Sequence, residues 1–155
     1  MAFGFALATA NPTPPSEMAT SATDNFVQAV EKCVGISRDW SHWKATSETS
    51  GWTIVAARNE KWGEIVSLKR GTTSIQASRV PINTANQFSY RCESIGFFVS
   101  ENEAKAAAKK AEYAIKPIGR SPDVATVILS NGERVRFAFG IYPHEFLASA
   151  VLHTP

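Results

Sequence analysis

The sequence predicts an α+β fold: a single domain in which a largely antiparallel sheet of about five strands carries helices packed on one face. Three observations lead there. Two well-capped segments place apolar residues at helical spacing, and several short β-rich runs follow one another without regular β-α-β alternation. The chain has 155 residues, 44% of them hydrophobic, and a chain of about 150 residues buries roughly two-thirds of its unfolded surface in one core. A two-domain enzyme is a poor fit to that length. The composition also lacks the biases of disordered, collagen-like, membrane-bundle or disulfide-dense chains.

Residues 1–20 read as a residual signal or targeting segment followed by a tether. Met1 to Ala10 is apolar and ends in Ala8-Thr9-Ala10, the small-x-small pattern of a signal-peptidase site, but no Lys or Arg precedes Lys32, so the basic start of a complete signal is missing. The run is too short to span a bilayer. The following Asn11-Pro12-Thr13-Pro14-Pro15-Ser16 has the composition of an extended linker. The folded domain is expected over 21–155, in a periplasmic or secreted protein.

Ser21-x-x-Asp24 opens the first helix, with Phe26, Ala29, Val30 and Cys33 along one face and Gly35 placed as a left-handed C-terminal cap. Cys33 and Cys92 are the two cysteines, and an even pair in an exported chain is expected to form one disulfide. Without a CxxC motif, neither a thioredoxin-type centre nor a zinc knuckle is indicated. Trp52–Ala57, Trp62–Leu68 and Thr73–Val80 are β-rich runs separated by turn residues, which predicts an antiparallel meander. Over 83–96 two periods compete. Phe88, Tyr90 and Cys92 alternate as a strand would, but Thr84-x-x-Gln87, the spacing of Phe88, Cys92 and Ile95, and the stop at Gly96 favour a helix.

Ser100-x-x-Glu103 introduces a helix over Glu101–Lys116 with an alanine-rich face, suited to lying close against a sheet. Val124–Ser130 and Glu133–Phe139 flank Asn131-Gly132, the residues of a type I′ hairpin turn. Pro143 then suits the first position of a short terminal helix carrying Phe146, Leu147 and Val151, with His153 in a frayed tail.

Most catalytic constellations are missing. There is no GxGxxG or GxxxxGK[ST] pattern, which disfavours nucleotide enzymes. Ser41-x-x-Lys44 matches the S-x-x-K of penicillin-recognising serine enzymes by chance, since no S-D-N or K-T-G partner accompanies it. His42, His144 and His153 lack the spacing of metal ligands, so no metal and no cofactor is expected. His144 and Glu145 are the acid–base candidates, and they carry an alternative reading as a small hydrolase or lyase.

Binding surfaces are better represented. Trp40, Trp43, Trp52 and Trp62 all fall between positions 40 and 62. Trp52 and Trp62 suit a cross-strand pair in the core. Trp40 and Trp43, with His42 between them, suit a ligand or partner surface. The segments 58–91 and 105–120 each carry net +4, and Lys69 and Arg70 belong to the first. Should sheet edge and helix adjoin, these segments form one basic patch for an acidic protein, a polyanionic glycan or a phospholipid surface. No recognised module points to nucleic acid. The sequence thus predicts an exported, non-catalytic binding, accessory or inhibitor-like protein. A self-associating cell-envelope component is the third reading.

Overall fold

Ser21 starts the first helix as its spacing implies: its hydroxyl accepts from the Asp24 N–H at 3.1 Å, and Asp24 adds a negative charge to the first turn. The computed structural model describes residues 21–82 and 86–154, so the signal and tether readings of 1–20 lie outside the described residues. Helix α1 runs Ala22–Arg38, past Gly35. The expected cap fails because the next residues belong to the core: Ile36 is buried, and the Ser37 hydroxyl lies 2.8 Å from the Val34 carbonyl and 2.9 Å from Oε1 of buried Glu133. A mid-helix glycine costs about 0.5–1 kcal/mol relative to alanine, and a methyl group at position 35 would meet nothing within 4 Å. Gly35→Ala is therefore expected to raise stability by about 0.5–1 kcal/mol in urea titration; a fall would show that the position tolerates no side chain.

The meander forms as predicted, with longer strands. Strands β1 (Thr53–Glu60), β2 (Gly63–Arg70) and β3 (Thr73–Pro81) pair antiparallel in order, after a short helix α2 (His42–Thr49). Pairing of Glu60 with Gly63 makes Lys61-Trp62 a two-residue turn. Trp62 is therefore at the hairpin tip, half exposed, whereas Trp52 lies buried at the other end. They are not the expected cross-strand pair.

The helix expected over 83–96 is instead strand β4 (Phe88–Phe98), and residues 83–85 lie outside the described residues. Tyr90, Cys92, Ser94, Gly96 and Phe98 share the inward face. Ser94 and Gly96 interrupt the apolar period, because they are small or polar at buried positions. Their size has a cause: α1 crosses there. Cys33 Sγ bonds Cys92 Sγ and lies 3.2 Å from Ser94 Oγ, and the Phe26 ring rests over Gly96. The predicted disulfide is present and ties α1 to the middle of the sheet.

Helix α3 (Glu101–Ala114) is capped by Ser100, whose hydroxyl accepts from the Glu103 N–H at 3.2 Å. Its buried face is Ala104, Ala107, Ala108 and Ala111, small enough for close approach to α1 and the sheet. Strands β5 (Gly119–Arg120), β6 (Thr126–Ile128) and β7 (Arg134–Tyr142) follow. The turn between β6 and β7 has three residues, not two: Gly132 N–H donates to Leu129, Leu129 N–H donates to Glu133, and Gly132 alone takes positive φ, at 84°. That is the type I turn with a glycine bulge.

The terminal helix is also overturned. Residues 145–153 form strand β8 (Glu145–His153), inserted between β4 and β7, and Pro143-His144 is the tight turn before it. Phe146, Ala148, Ala150 and Leu152 face inward, while Leu147 and Val151 make the outward face partly apolar as well. Alternation was thereby blurred. Pro143 at a turn leaves no strand hydrogen bond unmade.

The described residues form one antiparallel sheet of eight strands, not about five, in the order β1-β2-β3-β4-β8-β7-β6-β5. Helices α1 and α3 lie on the same face, packed on each other and on β3, β4 and β8, as the predicted one-sided packing requires. Val30, Leu68, Ile75, Leu129, Val135 and Leu152 fill the space between. No helix among the described residues is long and apolar enough to cross a membrane.

Candidate functional site

An antiparallel sheet covered on one side presents its other side to water, and alternation then decides which residues stand there. Directly paired residues share a face, so the pairing register maps the open face row by row. One row runs Ile65–Ser78–Arg91–His153–Arg134–Ile128 across six neighbouring strands. The next runs Ser67–Gln76–Glu93–Val151–Arg136–Thr126. Arg91, His153, Arg134 and Arg136 are all exposed.

The charges in these rows are largely unneutralised. Arg91 and Arg134 stand two strands apart, roughly 10 Å at ordinary strand spacing, with His153 between them. Arg91 reaches Glu93 at 3.5 Å. Arg134 and Arg136 have no carboxylate partner among the described residues. Arg134 and Arg136 stand on one face of β7 with Arg91 two strands away, so like charges gather there and an anion laid across them offsets their repulsion.

Next to Arg91 the face is indented. Trp62, Ile65, Gln76, Ser78, Arg91 and Glu93 line an open cavity of about 210 Å³, and the Trp62 side chain at its rim is 50% exposed. The far end of the face has a different character. There Phe97 and Tyr142 meet edge to face at 5.9 Å, with Leu147 alongside by register.

The residues singled out from sequence fall elsewhere. Trp40 is buried, its ring 6.1 Å from Tyr90, and the Arg79 guanidinium lies 5.3 Å from it and 4.4 Å from Phe88 while pairing with Glu64. Trp43 is half-buried and lines, with Trp40, Lys44 and Glu64, a cavity of about 280 Å³ at the β1 edge. His42 begins α2. Arg70 is engaged by Gln28 at 2.6 Å and the Ser50 carbonyl at 3.0 Å, which ties β2 to α1. Lys69 is exposed on the open face, one row beyond Gln76. His144 and Glu145 are both exposed at the β7–β8 turn.

The two basic segments do not merge into one patch. Helix α3 lies on the covered side of the sheet, so Lys105, Lys109 and Lys110 are exposed opposite the arginine rows. Behind the sheet, between α1 and α2, Lys32 donates to Thr46 Oγ1 at 2.7 Å, and burial lowers its pKa from the usual lysine value. Among the described residues no group of three or more His, Cys, Asp or Glu could hold a metal.

The arginine rows escaped sequence reading because their members come from β4, β7 and β8. Arg134 and Arg136 alternate visibly with Val135 and Phe137, which is the one local signal. Their adjacency to Arg91 and His153 depends on β8 entering between β4 and β7. No family model, curated protein or solved structure matches the chain.

Proposed function

We propose that the protein is a non-catalytic binding protein of a periplasmic or secreted location, whose working surface is the open face of the sheet and whose ligand is anionic. The single observation that carries this reading is the arginine cluster of the open face, Arg91 and Arg134 on either side of His153 with Arg136 in the next row, all exposed and only Arg91 with a carboxylate partner among the described residues. Clustered charge of one sign on a low-dielectric surface attracts and orients oppositely charged ligands. The Cys33–Cys92 bridge supports the location, since such bonds persist in oxidising compartments.

The test separates this face from the other basic surface. On immobilised heparin, the wild-type protein is expected to be retained and to elute with added salt, because exposed ion pairing is screened over about 8–10 Å at 0.1–0.15 M ionic strength. The triple variant Arg91→Gln, Arg134→Gln, Arg136→Gln is expected to pass without retention. Lys105→Gln, Lys109→Gln, Lys110→Gln on α3 removes the same formal charge from the opposite side and should elute close to wild type. Equal elution of wild type and the arginine variant would falsify the reading.

A further inference from the structure

The cavity beside Arg91 narrows the ligand class. The geometry points to an acidic polysaccharide, a chain of sugar rings carrying carboxylate or sulfate groups, laid from the Trp62 cavity along the Arg91–His153–Arg134 row. This rests on the open face being the working surface and adds what that surface selects.

Trp62 offers a half-exposed indole at the rim, a flat amphipathic surface that covers the apolar C–H face of a sugar ring. Gln76 and Ser78 bring amide and hydroxyl groups from the neighbouring strand, and Glu93 a carboxylate acceptor. Together they can both donate to and accept from ring hydroxyls. At about 210 Å³ the cavity is smaller than the roughly 300–1,000 Å³ pockets that enclose drug-sized ligands. One ring fits, with its neighbours lying outside on the sheet.

Arg91 joins the two parts of the surface. It lines the cavity and also heads the cation row. A guanidinium binds a carboxylate or sulfate through two parallel hydrogen bonds, closer than the 3.5 Å contact Arg91 makes with Glu93, so a charged group on the seated ring or the next one meets Arg91. Further charged units meet His153, Arg134 and Arg136 across the following strands. An extended, repeatedly charged chain matches a row roughly two strand spacings long between its outer arginines.

Other polyanions fit less well. Single-stranded nucleic acid is held by aromatic side chains that stack successive bases along a basic groove, whereas the row beyond Arg91 continues through His153, Arg134 and Ile128, and Phe97 and Tyr142, at the far end of the face, pack against each other. A peptide built of acidic side chains alone, such as polyglutamate, has no ring for Trp62 to cover.

The experiment is calorimetric titration at low salt with oligogalacturonate, its methyl-esterified neutral form, polyglutamate and a single-stranded DNA oligomer. Oligogalacturonate is expected to bind, and the neutral ester to bind at least about tenfold more weakly for loss of its charges. Trp62→Ala is expected to weaken oligogalacturonate about tenfold, the usual effect of truncating an aromatic anchor, and to leave polyglutamate binding unchanged. Gln76→Ala, an exposed mid-strand substitution, gives a second readout in the same direction if the turn variant misfolds. If polyglutamate or DNA binds as tightly as oligogalacturonate, or if neither variant distinguishes sugar from peptide, the polysaccharide inference is overturned while the anionic surface stands. If no anionic polymer binds, both readings fall.

Discussion

Replacing Cys33 and Cys92 together by alanine is expected to lower the unfolding free energy by about 4 kcal/mol, the chain-entropy value for a bridge closing a loop of this size. The two residues are 59 apart in sequence, and the bridge removes from the unfolded chain the conformations in which α1 drifts away from β4. A domain of this kind has roughly 5–15 kcal/mol in total, so the loss is a large fraction of its stability. Both cysteines are buried, at 2% exposure. Cavity formation therefore adds to the entropic loss and does not offset it. Urea unfolding of the double variant, and of wild type with and without reductant, measures the effect. A change below about 1 kcal/mol would mean that the unfolded state is compact enough to gain little from the cross-link.

The second large effect is expected at Phe26. Its ring is fully buried, meets Phe98 edge to face at 6.0 Å, and lies against β4 where Gly96 has no side chain; a Cβ there would come within 2.9 Å of the ring. Phe26→Ala removes a whole aromatic from the contact between helix and sheet and should cost about 3–5 kcal/mol. Gly96→Ala puts a methyl group into occupied space and should cost about 1–3 kcal/mol. The combination is the informative variant. The new methyl then enters space the Phe26 ring has left, although it still lies 3.0 Å from the Phe98 ring, so the double variant should be more stable than the sum of the two losses implies, by about 1 kcal/mol. Strict additivity in denaturant titrations would show that ring and glycine do not share that space.

These two sites also show where the sequence was legible. α1 and α3 were readable because an amphipathic helix is a local object: its caps, Ser21 and Ser100, and its apolar stripe lie within a few turns. The β1–β3 meander was readable for the same reason, since short turns join strands that pair with their sequence neighbours. Gly35 misled because a helix can continue through a glycine when Ile36 and Ser37 have buried partners to reach. β4 and β8 were misread because their inward positions answer to neighbours far away in sequence. Ser94 and Gly96 are small to admit α1, and β8 is apolar on parts of both faces because it lies between β4 and β7.

The candidate site divides along the same line. In the sequence, two locally basic segments and a tryptophan cluster in a near-neutral chain predict a protein or a polyanionic or glycan partner, with Trp40, His42, Trp43, Lys69 and Arg70 as the contact residues. Trp40 and Arg70 are occupied in holding elements together, Trp40 beneath Arg79 and Arg70 against Gln28 and Ser50. Trp62, assigned to the core, stands half exposed because the strand runs on to Glu60 and places it in the turn.

By itself the sequence determined what is set within a few residues: capped helices, a meander, the class of fold and an even cysteine pair suited to a bridge. Only the tertiary structure decided that the sheet has eight strands with one face bare, and that Arg91, His153 and Arg134 stand side by side on it. The reason is physical. Helical periodicity and turn chemistry are short-range, whereas cross-strand adjacency is created by register between distant segments. A surface assembled from three strands has no local signature until β8 enters between its neighbours.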